Sequence, residues 1–138
     1  MATREDARVA LVTAVEALKA TWSAYSLIVE YDNRILVNRS TQSNPFLCVN
    51  MKYMGGEQLA LGENGGHRLM GVIELEANVK QGQGSKLAND LLQHFYPTLH
   101  MTDAFPPIRT YAARFSSKPA KEGWENEVAL IPFWFDVL

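Results

Sequence analysis

Gly82-Gln83-Gly84-Ser85-Lys86 comes nearest in this chain to a ligand cradle, because glycines that open a helix leave backbone N–H groups free to hold a phosphate. It fits neither phosphate fingerprint. The Walker pattern requires glycines five apart before Lys-Ser/Thr, and the dinucleotide pattern requires a third glycine within a parallel βαβ unit. A strand-to-helix turn capped by Ser85 or Gly84 accounts for the same residues. His67, His94 and His100 carry imidazoles, but His94 and His100 are separated by Pro97 and lack the i, i+4 spacing of a helical metal pair. No metal and no cofactor is expected. Cys48 sits between Leu47 and Val49 in an alternating run, the setting of a packed thiol rather than a nucleophile. Glu74 and Glu76 share one strand face, and paired carboxylates can perform acid–base chemistry. Alternate charges on a strand more simply mark its solvent side or a polar subunit contact. The chain is therefore read as non-enzymatic, with no catalytic residue.

These residues must be positioned by a chain of 138 residues, 47% apolar and 20% charged, which is the size of one domain, 1–138. A single cysteine excludes an intramolecular disulfide framework. A net charge of -2 argues against a dedicated nucleic-acid binder, whose affinity comes mainly from neutralised phosphates. The longest apolar run, Val128 to Phe135, falls far short of the about 20 residues a bilayer span needs. Met1 to Asp6 shows no secretory pattern, so folding in a cytoplasm is expected.

Ala7, Leu11, Ala14, Val15, Leu18 and Trp22 recur at helical spacing, with Thr3 as the cap, predicting a helix that ends near Ala20. A strand is predicted at Tyr25 to Tyr31, and a mobile connection from Asp32 to Asn44. Phe46 to Met54 alternates as a half-buried strand. A glycine-rich loop follows at 55–66, then the longest alternation of the chain, Leu69 to Lys80. Leu87, Ala88, Leu91 and Phe95 define a second helix that Pro97 closes. Strands at Ile108 to Phe115 and Val128 to Phe135, joined by a turn at Ser116 to Gly123, complete an α+β fold. Its sheet is expected to be mainly antiparallel, with the two helices on one face.

Three stretches carry a resemblance. They are Trp22 followed by Leu27-Ile28-Val29-Glu30-Tyr31-Asp32-Asn33, then Arg68 to Ile73 leading into Gly82-Gln83-Gly84, and Gly123-Trp124 before the terminal strand. Their order and spacing over nearly the whole chain resemble the tail terminator, or tail completion, proteins of long-tailed siphovirus-type phages. Arg34-Ile35-Leu36-Val37 and the stretch His100 to Pro107 depart from that pattern.

The resemblance implies a ring, usually of six copies, on the head-proximal end of the tail tube. There it would stop polymerisation of the tube protein and offer the head connector a docking surface, within a virion assembled in the host cytoplasm. A domain this size has a radius of gyration of about 14 Å. Six such bodies in a ring enclose a hole of about one protomer's diameter, which DNA can cross without specific binding. The partners implied are further copies of the chain, the tube protein and the connector protein, and no membrane.

A ring needs two different patches that fit one another. Trp124, Phe133 and Phe135 are the expected aromatic anchors of that contact, with Glu74 and Glu76 as its polar specificity elements. Arg34, Arg39, His67, Lys118 and Lys121 are the expected contacts to tube or connector. The loops 34–45, 55–66 and 116–123 are expected to be disordered in the free protomer and to order on the tube end. Two rival readings are a connector or stopper on the head side, and an anion-binding domain or enzyme built on Gly82 to Lys86.

Overall fold

The structure, a computed structural model, describes residues 2–32, 34–58 and 66–137. The first helix, α1 (Arg4–Lys19), starts where Thr3 accepts from the Asp6 amide while the Asp6 carboxylate accepts from the Thr3 amide. This reciprocal box satisfies two of the amides that a helix start leaves unpaired. Six strands follow: β1 (Val29–Tyr31), β2 (Phe46–Gln58), β3 (His67–Lys80), β4 (Arg109–Thr110), β5 (Arg114–Ser116) and β6 (Trp124–Val137). The second helix, α2 (Lys86–Leu99), lies between β3 and β4.

The sheet order is β1-β2-β3-β6-β4, with β5 also paired to β6. All pairings are antiparallel except β1 with β2. The fold is the α+β class expected, with a mainly antiparallel sheet. Alternation explains which face each residue joins. Leu47, Val49, Ile73, Leu75, Ala77, Ala129, Ile131, Phe133 and Phe135 point to one side. There they form a single core with Ala7, Leu11 and Val15 of α1 and Ala88, Leu91 and Phe95 of α2. Both helices thus cover the same sheet face. Among the described residues no helix is long and apolar enough to cross a membrane.

Several boundaries differ from those predicted. β1 is shorter than the Tyr25–Tyr31 strand, because β2 offers it a partner only at Leu47 to Val49. β2 runs on through Gly55 and Gly56 by way of a register shift between Tyr53 and Gly55, so part of the predicted 55–66 loop is strand. Residues 59–65 of that loop lie outside the described residues. Pro97 sits inside α2 rather than closing it: its missing N–H forfeits one intrahelical bond, yet the helix runs on to Leu99 and the His100 amide donates to the Tyr96 carbonyl. Ser85 is the N-cap of α2, one of the two residues expected there, and its side chain makes no cap hydrogen bond. The predicted strand Ile108–Phe115 is two short edge pieces, interrupted at 111–113. β6 begins at Trp124, ahead of its apolar run. Lys121 and Trp124 exchange backbone bonds around Glu122 and Gly123, both at positive φ. That is the backbone a two-residue hairpin turn demands.

Gly71 is required by packing rather than by a turn. A Cβ there would land on the Lys52 carbonyl oxygen and 2.9 Å from the Phe133 ring.

Candidate functional site

The sheet face opposite the helices has no helical cover. Its residues are the other half of each alternation: Glu30 on β1, Cys48 and Asn50 on β2, Glu74, Glu76 and Asn78 on β3, Asn126 on β6. Two irregular segments, 34–45 and 117–123, stand on this face and leave between them a trough of about 460 Å³. Its walls include Ile35 and Arg39 on one side and Lys118, Lys121 and Glu122 on the other.

Each wall is fastened by a carboxylate. Glu30, only 3% exposed, accepts from the Leu36 and Val37 amides at 2.7 and 2.8 Å and from both terminal nitrogens of Arg39 at 2.8 Å. Burial alone pushes the Glu30 carboxyl up, but the Arg39 bonds, the two amides and the Cys48 thiol outweigh it and hold it at about 2. Lys118 Nζ bridges Glu74 Oε1 and Glu76 Oε2 from the other wall, at 2.6 and 3.0 Å, and Lys52 reaches Glu74 at 3.1 Å. Burial raises the Glu74 carboxyl, and Lys118 with Lys52 reverse that to a net lowering. The Lys118 backbone amide also donates to Asn126 Oδ1 at 2.8 Å.

Arg39 joins the two walls. It stacks on Phe46 at 4.7 Å, lies 4.0 Å from Glu122, and its carbonyl accepts from Trp124 Nε1 at 3.1 Å. Both segments, expected to be disordered in the free protomer, are here tied to the sheet through the buried carboxylates Glu30 and Glu74.

The aromatic anchors proposed for a subunit contact are placed elsewhere. Phe133 and Phe135 face the helices, 1% and 0% exposed, each edge-on to Tyr53. Trp124 is on the open face but buried in a small cluster with Val37 and Phe46. Consecutive bulky residues on β6 do populate both faces, but the protomer itself covers these three. Glu74 and Glu76 do lie on the open face, as does the pair Arg39 and Lys118 that holds its walls. Lys121 lines the same trough. His67 is at the opposite end of β3, facing Val137 across the ladder, and Arg34 is exposed in the β1–β2 connection, so neither joins the trough.

Other candidate chemistry is occupied or blocked. Burial first, and then Glu30 and Glu76, push the Cys48 thiol up, away from the reactive thiolate. His94 Nε2 lies 2.8 Å from the Leu18 carbonyl and 2.9 Å from Thr21 Oγ1. His100 Nδ1 accepts from the Ala113 amide. Lys86 pairs with Asp90 at 2.8 Å rather than closing over the Gly82–Gly84 turn. Among the described residues no group of three metal-ligating side chains converges.

No family model matches this chain, and no curated protein matches it. Among solved structures, 22 chains are similar. One of them aligns over 100% of this chain and 97% of its own, at a TM-score of 0.59 and 16% identity. At that identity the likeness shows the fold alone.

Proposed function

We propose that this chain is a non-enzymatic virion assembly protein. In this reading it forms a ring, six copies in the resembling family, on the head-proximal end of a phage tail tube. The ring stops tube growth and presents the surface that joins the head. One line that supports the reading is the sequence resemblance, which spans nearly the whole chain.

The observation that carries it is the open sheet face with its two fastened walls. Its carboxylates are neutralised by fixed cations, and the Cys48 thiol is held protonated. Such groups are poor acids, bases or nucleophiles, because their charge state is already fixed. They are well suited to defining the shape of a contact surface, since buried ion pairs hold one geometry. Function then resides in what docks on the molecule rather than in what it transforms.

Negative-stain imaging of the purified protein with tail tubes tests this. Density capping one tube end supports it. Binding to the head-side neck alone would move the protein to the connector, and a phosphate-dependent rise in melting temperature would favour the anion-binding rival.

A further inference from the structure

We propose that the open sheet face is the contact surface for a second copy of this chain, docked head-to-tail through its carboxylate-bearing helix side. The inference rests on the ring reading above and names the surfaces that would build the ring.

Strand register separates the two charge populations. Among the side chains described on the open face, each carboxylate already has a cation: Glu30 and Glu122 have Arg39, Glu74 and Glu76 have Lys118, and Asp136 has Arg68. Cations remain over. Arg109 opposes Trp134 and Arg114 opposes Leu130, both on this face, and Lys121 lines the trough. Lys80 is on it too, 5.9 Å from the Trp124 ring. Among the described residues none of these four forms a salt bridge, while Arg109 stacks on the Trp134 ring at 5.2 Å and its charge adds to that of Arg68 in lowering the Asp136 carboxyl.

The helix side has the opposite surplus. Glu127 and Glu125 oppose Ala77 and Val79 of the core-facing register, and Asp103 is exposed in the α2–β4 connection. These carboxylates have no ion-pair partner among the described residues. Of the cations there, Arg8, Lys19 and Lys86 are paired with Glu5, Glu16 and Asp90, and Arg4 stacks on the Tyr53 ring.

A face with surplus positive charge repels its own copy, which disfavours a two-fold dimer across it. It attracts the helix side of another copy. Two different patches in contact generate a ring when the rotation closes, the case a tube cap requires, and an open helix when it does not. Ile35 and Leu36, 74% and 54% exposed beside the trough, supply apolar area that the contact would remove from water.

A charge swap tests the geometry. One variant carries Arg109→Glu, Arg114→Glu and Lys121→Glu, and a second carries Asp103→Lys, Glu125→Lys and Glu127→Lys. Analytical ultracentrifugation should show the wild-type chain associating at low salt, with the association constant falling at least roughly tenfold as screening shortens the reach of surface charges. Each variant alone should sediment as a monomer with wild-type circular dichroism. Their equimolar mixture should regain the wild-type oligomer, because each then meets its opposite charge. A wild-type monomer at low salt, an associating single variant, or a mixture that stays monomeric overturns the proposal. So does duplex DNA binding that the first variant loses, which would make the face a nucleic-acid surface. Association that obeys the swap without tube capping would sink the tail reading and leave this inference standing. Tube capping by the first variant would do the reverse.

Discussion

Glu30 is the residue on which the open face depends. Alternation in Tyr25 to Tyr31 already places it with Ser26 and Ile28, opposite Leu27 and Val29. Its partners were not legible, because Arg39 and the Leu36 and Val37 amides belong to an irregular segment whose path no periodicity records. Glu30→Gln keeps the shape but removes the charge, leaving Arg39 without its fixed counter-charge. The expected loss is about 1.5–3 kcal/mol, the range for hydrogen bonds to charged groups, read by urea unfolding. The pH dependence has a defined sign. A carboxyl held near 2 in the fold, against 4.5 ordinarily, adds stability that is complete above 4.5 and drains away as the pH falls toward 2. The Gln variant should lack this part of the acid limb.

At the scale of elements, the sequence is most readable where one face is wet and the other dry. The Thr3 cap, the α1 stripe and the alternations of β2 and β3 follow directly from the residues. Element ends are less readable, since they depend on what a neighbour offers: β1 stops where its pairing with β2 stops. The burial of Phe133 and Phe135 needed the tertiary structure, because a strand with large side chains on both faces does not say which side the helices take. Two substitutions follow from their placement. Phe133→Ala should cost the isolated protomer about 3–5 kcal/mol, as a core cavity does, whereas an interface anchor would leave protomer stability nearly unchanged. Chemical denaturation of the monomeric protein decides between them. Gly71→Ala should destabilise by about 1–3 kcal/mol, because the added methyl meets the Lys52 carbonyl and the Phe133 ring. A melting temperature equal to wild type would refute that packing argument.

For the whole molecule, composition gave a near-neutral average that conceals the charge split between its faces. That split becomes visible only once strand register assigns each charge a side. Fold class was legible because it depends on the order of amphipathic elements, whereas the faces through which copies are proposed to meet were not, because strand register and tertiary structure assign them. The central claim is that this chain arrests a growing cylinder. Purified tube protein polymerised with and without it, and measured by electron microscopy, tests that most directly. The expected result is tubes of limited length, each with extra density at one end. Tubes of unchanged length with bare ends would contradict the account.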